Sequence, residues 1–230
     1  MINLITYAML FFSSNSITAT QKGLSGVDLG NLLIKRVVET LSKEFVSLTT
    51  FATLSPIPRF RKWLEEKISK PYSPSILTKE EQLELSSIFR CHNKDATNKF
   101  LSALNSNDKT EEEIWYNDAD LQKAFKPILM RLAAYYLLYE KYRGLPMDGV
   151  AKFHLRNGAE LYRLNWMADM SRKGFQNSLG IMVNYRYCLD DIEENQGYYE
   201  REGRIKVKQG VLEWIHNESH INYAKTHAKL

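Results

Sequence analysis

The sequence predicts an α/β (α+β) domain with one mixed sheet flanked by helices, and three observations carry that expectation. Apolar residues recur every fourth position at Leu29, Leu33, Val37, Leu41 and Phe45, which reads as an amphipathic helix of about four to five turns. Two runs rich in β-branched and aromatic residues, VSLTTFATL at 46–54 and LGIMVNYRYCL at 179–189, are short enough for strands. Neither an internal repeat nor a low-complexity tract interrupts the chain, so helices and strands in this order are expected to assemble around a single sheet.

In chain order, the apolar run from Ile5 to Phe12 comes first. It is too short to span a bilayer; a signal peptide is one reading, but no basic residue precedes the run, the first being Lys22, so the charged n-region is missing and a buried strand is the preferred expectation. TQKGLSGVDLG follows at 20–30, with Gly23, Gly26 and Gly30 around the start of the first helix. Glycines let a ligand approach the backbone, and the free N–H groups of a helix's first turn favour a phosphate or pyrophosphate. The spacing is neither that of a dinucleotide-binding G-x-G-x-x-G nor that of a P-loop. A tight strand-to-helix turn explains the glycines equally well, and Asp28 is then an acid in the helix's first turn.

After the 46–54 strand, ATLSPIPRF at 52–60 places Ser55 before two prolines that stiffen the backbone. One reading makes Ser55 the N-cap of the next helix with Pro56 at its first position; the other holds Ser55 still for chemistry. RFRKWLEEKI at 59–68 resumes helical spacing, and residues 69–118 carry turns and short polar helices such as KEEQLELSSIF. A long helix is expected over 118–142, with Leu121, Phe125, Ile128, Leu132 and Tyr136 on one side, Pro127 as a kink or true first turn, and Gly144 and Pro146 ending it. VAKFHLRNG at 150–158 reads as a short helix closed by Gly158, AELYRLNW at 159–166 as a strand, and 204–216 as a last helix before a polar tail.

Composition narrows the function classes. With 230 residues, 44% hydrophobic and 12% aromatic, the chain can bury a large core, which excludes an intrinsically disordered protein. Its 31 Lys plus Arg against 27 Asp plus Glu leave a net +4, which suits an anionic ligand without demanding nucleic acid. The basic runs RFRK and REGRIKVK have few aromatics between them and read as solvated faces. Cys91 and Cys188 lie far apart without C-x-x-C spacing, so a reducing compartment fits better than a disulfide framework or a zinc site, and nothing near them argues for a lowered thiol pKa. The histidines 92, 154, 216, 220 and 227 include no H-E-x-x-H, and His216 with His220 lacks a third ligand, so no metal is expected. His154 sits in an apolar stretch where a hydrogen-bonded core histidine is the commoner outcome. Tyr185 and Tyr187 alternate on the last strand and face one side, with packing as their default role.

Five segments together carry a resemblance: QKGLSGVDLGNLLIKRVVETL, LSPIPRFRKWL, PILMRLAAYYLLYEKYRG, VAKFHLRNGAELYRLNWMAD and GIMVNYRYCL. In this order they resemble the C-terminal half of the malonyl-CoA decarboxylase family, most distinctively in SPIP and FHLxNGA and most weakly at 69–118 and 190–215. The resemblance implies a GNAT-type acyltransferase-like mixed sheet over 1–230, with 69–118 a variable helical insertion. It also implies a chain without the helical domain and opening strands that precede this region in the family. The activity implied is decarboxylation of malonyl-CoA to acetyl-CoA and carbon dioxide, a step that regulates fatty acid metabolism. Ser55 and His154 match the family's catalytic serine and histidine, and Tyr187 matches a tyrosine needed for activity. Ser25, Gly26, Val27, Asp28, Leu29, Gly30 and Asn31 match the segment that binds the acyl-CoA, with Asp28 standing where a glutamate is usual.

Losing carbon dioxide from a malonyl thioester leaves an enolate whose charge the thioester carbonyl already absorbs, so no metal, pyridoxal or flavin cofactor is expected. The protein has to orient the carboxylate, stabilise the enolate oxygen and return a proton to carbon. The competing reading is a non-catalytic CoA-binding or interaction protein that keeps a truncated form of the same fold. Beyond malonyl-CoA, the expected partners are a second copy of the chain and a peroxisomal import receptor. The latter would read the terminal Ala228, Lys229 and Leu230, a close variant of Ser-Lys-Leu. The family resemblance leaves cytoplasm and mitochondrion as further locations.

Overall fold

The computed structural model describes residues 29–47, 49–69, 75–105 and 114–216. The strand expected over Ile5 to Phe12, the loop residues Ser25 to Asp28 and the terminal tripeptide lie outside them. The elements run α1 (Leu29–Glu44), β1 (Phe51–Ala52), β2 (Ser55–Pro56), α2 (Phe60–Ile68), α3 (Lys79–Phe89), α4 (Asn93–Leu104) and a 3-10 turn at Trp115–Asn117. Then come α5 (Ala119–Tyr139), the short pair β3 (Lys141–Tyr142) and β4 (Leu145–Pro146), α6 (Gly149–Arg156), β5 (Glu160–Asn165), α7 (Arg172–Ser178), β6 (Met182–Tyr187), α8 (Ile192–Glu202) and α9 (Gln209–His216).

Strand β6 is the middle of the sheet. On one side β1 and β2 pair with it antiparallel in a single register, Phe51 opposite Tyr187 and Pro56 opposite Met182. They are therefore two ends of one extended segment, and between them Thr53 N–H donates to the Tyr185 carbonyl at 2.9 Å. On the other side β5 pairs antiparallel, with a bulge between Leu161 and Arg163. Against the expected mixed sheet, every strand pairing among the described residues is antiparallel, and the parallel contact of Leu161 with Val207 is an isolated bridge outside the strands. That bridge holds 206–208 extended, so the last helix starts at Gln209 and not near 204.

The 46–54 strand is narrower than its composition suggests. Val46 is 87% exposed, and pairing begins only at Phe51, where the side chains turn inward. In α1, among the residues from Ile34 onward, Ile34 and Val38 are buried, Leu41 packs alongside and Val37 is half-buried. Strict i+4 spacing turns about 40° per step on a helix, so five such positions spread over roughly 160° and cannot all face one surface. Phe45 lies beyond the helix end and is exposed.

Helix α5 is the core. Every residue from Ile128 to Leu138 is buried, so it is enclosed on all sides instead of presenting one apolar face. Its N-cap Asp118 accepts from the N–H groups of Asp120 and Leu121. Pro127 lies two turns inside at an exposed position, and the helix continues through it. Residues 75–105, within the region expected to be a variable insertion, contribute Leu85, Ala96, Phe100 and Leu104 to the same core. After α5 the chain reverses at Arg143 and Gly144, both with positive φ, in the two-residue hairpin that joins β3 to β4.

Ser55 does not cap a helix. Helix α2 begins at Phe60 with Arg59 at the cap position and no side-chain cap bond, while Ser55 lies in β2. The reason is the second proline: each X-Pro step pushes its preceding residue to extended geometry, so Ser55 and Ile57 both stay out of the helical region. Gly158 closes α6 at φ +79, and a Cβ there would meet the Ile192 carbonyl oxygen at 2.3 Å. Glycine is therefore needed at the turn that sets α6 against β5.

Candidate active site

Three elements converge on one point. Strand β2 supplies Ser55, α6 supplies His154 and β6 supplies Tyr187. Ser55 and His154, ninety-nine positions apart, are 0% and 2% exposed. The Ser55 Oγ lies 3.2 Å from His154 Nε2, and His154 Nδ1 lies 2.7 Å from the Tyr187 hydroxyl. Tyr185 stacks on the imidazole, with ring centroids 4.5 Å apart and planes 20° from parallel, and Phe153 meets it edge-on. The two tyrosines of NYRY do share one face of β6, one packing on the ring and one bonding to it.

Asp148 orients the helix that carries His154. Its Oδ1 accepts from the N–H groups of Val150 at 3.0 Å and Ala151 at 2.8 Å, capping α6. Its other oxygen, with the Tyr136 and Tyr185 hydroxyls, is buried and finds no hydrogen-bond partner among the described residues. Sequence reasoning passed over Asp148, although an acid just before an apolar-periodic run is a helix-start signal. It passed over Thr53 too. Period-two alternation along the extended segment puts Thr53 on the same face as Ser55, and their hydroxyl oxygens lie 3.0 Å apart.

Burial governs the electrostatics. Desolvation lowers the His154 pKa to about 3, so the ring is neutral and carries one N–H. Desolvation raises Asp148 to about 6, against the lowering effect of its two backbone hydrogen bonds and of Arg59. The signs follow by linkage. The raised Asp148 contributes stability that is full below pH 3.8 and lost as pH rises through about 6; the lowered His154 contributes stability that is full above pH 6.5 and lost as pH falls through about 3. Between these limits the two slopes oppose each other. Asp148→Asn keeps a capping oxygen and removes the charge. Relative to the parent it should gain stability as pH rises from about 4 to 7, by on the order of 3 kcal/mol. Urea unfolding at both pH values reads this, and a parent-to-variant gap that does not move with pH refutes it.

Of the sequence-predicted residues, Ser55, His154 and Tyr187 form one hydrogen-bonded chain. Leu29, Gly30 and Asn31 form the first turn of α1, while Ser25, Gly26, Val27 and Asp28 fall outside the described residues. Among the described residues no three His, Cys, Asp or Glu side chains gather as a metal site would require.

A family model for the malonyl-CoA decarboxylase C-terminal domain matches residues 6–225. The chain is 43% identical over 204 residues to the mitochondrial malonyl-CoA decarboxylase of Anser anser anser, covering 87% of this chain and 39% of that protein. With the mitochondrial enzyme of Rattus norvegicus it shares 42% over 204 residues, 87% of this chain and 40% of the relative. Among solved structures, malonyl-CoA decarboxylase from Rhodopseudomonas palustris superposes with a TM-score of 0.69 at 38% identity, over 91% of this chain and 42% of that one. The enzyme from Agrobacterium vitis does so with 0.67 at 36% identity, over 84% and 42%. The chain thus spans about two fifths of the length of these relatives. A match across nearly the whole chain, at this identity and with the same fold of helices on a small sheet, makes it a member of the malonyl-CoA decarboxylase family, corresponding to its C-terminal domain.

Proposed function

We propose that the chain carries out, or supplies the catalytic part for, decarboxylation of malonyl-CoA to acetyl-CoA and carbon dioxide. The observation that carries this reading is the continuous chain of hydrogen-bonding groups from Tyr187 through His154 to Ser55. When the carboxylate leaves as carbon dioxide, the electron pair of its C–C bond passes into the thioester enolate, which then needs one proton on carbon. A neutral, dry imidazole is poorly suited to hold that proton as an imidazolium. It is well suited to pass one on: Ser55 gives its proton to carbon and takes the Nε2 proton, while Nδ1 takes the Tyr187 proton. Water then restores Tyr187. The charge moves along the chain without resting on the buried ring.

In this reading Ser25 to Asn31 hold the acyl-CoA, its phosphates drawn to the free N–H groups that open α1. Asp28 is the acid of that segment. Full-length chain incubated with malonyl-CoA labelled at its free carboxyl should release labelled carbon dioxide, and in deuterium oxide the acetyl-CoA should gain one deuterium. Retention on a CoA resin with no release would select the CoA-binding reading instead. We also propose that Ala228, Lys229 and Leu230 are a peroxisomal address. Import should stop when the three are removed, and import that persists would dismiss the address.

A further inference from the structure

We infer that Thr53 is a positioning residue that decides which nitrogen of His154 carries the proton, and so sets Ser55 as a proton donor and not as a nucleophile. The inference rests on the decarboxylase reading for its catalytic consequence, and on geometry alone for the tautomer.

The Ser55 hydroxyl has one proton and two acceptors within reach, Thr53 Oγ1 at 3.0 Å and His154 Nε2 at 3.2 Å. If the proton points to Thr53, the Ser55 lone pairs face Nε2, which must then be the N–H, and Nδ1 accepts from the Tyr187 hydroxyl. If it points to Nε2, the ring proton sits on Nδ1 and is donated to the Tyr187 oxygen. Tyr187 satisfies either arrangement, since a phenol both donates and accepts. Thr53 decides between them, because the Ser55 hydroxyl donates to Thr53 Oγ1 and so turns its lone pairs, not its proton, toward Nε2.

The two arrangements differ in chemistry. With the proton on Nε2, every donor points from Tyr187 toward Ser55, the direction needed to return a proton to carbon. With it on Nδ1, the ring is a base for Ser55, the arrangement of a serine nucleophile. Thr53 is held as a tie-breaker must be. It is 3% exposed, its N–H donates to the Tyr185 carbonyl at 2.9 Å, and its carbonyl accepts from Asn184 Nδ2 at 2.6 Å. Asn184 is fixed in turn, its Oδ1 accepting from Asn165 Nδ2 at 2.8 Å and Arg163 Nε at 3.2 Å.

The test is nitrogen NMR of the full-length chain labelled with 15N-histidine, the His154 signals identified by their loss in His154→Gln. The parent and Thr53→Ser should both show the proton on Nε2, and Thr53→Val, which keeps the shape and removes the oxygen, should show it on Nδ1. In turnover, Thr53→Val should lower kcat by about tenfold or more with KM within about twofold, and Thr53→Ser should recover most of the rate. A proton on Nδ1 in the parent, or an unchanged tautomer in Thr53→Val, overturns the inference. Should Thr53→Val not fold, the parent and Thr53→Ser spectra still decide, since Nδ1–H in either overturns it. A chain that turns over no malonyl-CoA defeats the functional reading while the spectra continue to judge Thr53.

Discussion

Ser55→Ala is expected to reduce carbon dioxide release from malonyl-CoA by about 10² to 10⁴-fold, the usual worth of a positioned proton donor. The substitution removes the one group that bridges His154 Nε2 and Thr53 Oγ1. With Ser55 gone, Tyr187 and His154 still meet at 2.7 Å, but the chain of donors ends short of the substrate carbon. The fold should survive. Leaving two buried polar groups without their partner costs about 1–3 kcal/mol each, against a typical domain stability of about 5–15 kcal/mol. The check is kcat together with the thermal unfolding midpoint. A large fall in rate with a small fall in midpoint is the expected pair, and a rate equal to the parent's would remove Ser55 from the mechanism.

The largest expected effect on stability lies away from the site, at Glu81 and Arg131. Arg131 donates through Nε to Glu81 Oε1 and through a terminal nitrogen to Oε2, both at 2.6 Å, and also to the Ile76 carbonyl at 3.0 Å. Glu81 meanwhile completes the capping box of α3 with Thr78. One carboxylate thus starts α3 and ties it to the central helix α5, with both side chains almost wholly buried. Glu81→Ala should destabilise by about 3–5 kcal/mol, because it strands a buried guanidinium, and by about 1 kcal/mol more through the lost cap. The double variant Glu81→Met with Arg131→Met should regain much of the first loss, since the buried cation goes with its partner. Urea denaturation of the full-length chain measures both. A single-variant loss under about 1 kcal/mol would mean that water reaches Arg131 and that the pair is not truly buried.

How far the sequence reached depended on whether a signal was local. Helix α6 was legible because its apolar spacing, terminal glycine and neighbouring strand lie within a few residues, and β5 and β6 were legible from composition and length. Helices α7 and α8 were not. RKGFQNS and IEENQGYYERE are polar, each holds a glycine, and α8 buries only Ile192, Asn195 and Tyr199. Their helicity comes from packing, which intrinsic propensity does not record. The enclosed surface of α5 was read as a single face for a related reason. Periodicity identifies one apolar stripe, while the elements that cover the other sides arrive from elsewhere in the chain.

The sequence by itself determined the family, the position of the strand and helix that bear Tyr187 and His154, and the stiffness of SPIP, because each is written in contiguous residues. Tertiary structure alone decided that Ser55 belongs to a strand and not a cap, that Thr53 and His154 meet it in one buried site, and that Glu81 reaches Arg131. Those outcomes turn on hydroxyls, a ring and charges brought within hydrogen-bonding distance from positions as many as ninety-nine residues apart. Burial sets both their protonation and their partners, and burial is a property of the packed chain.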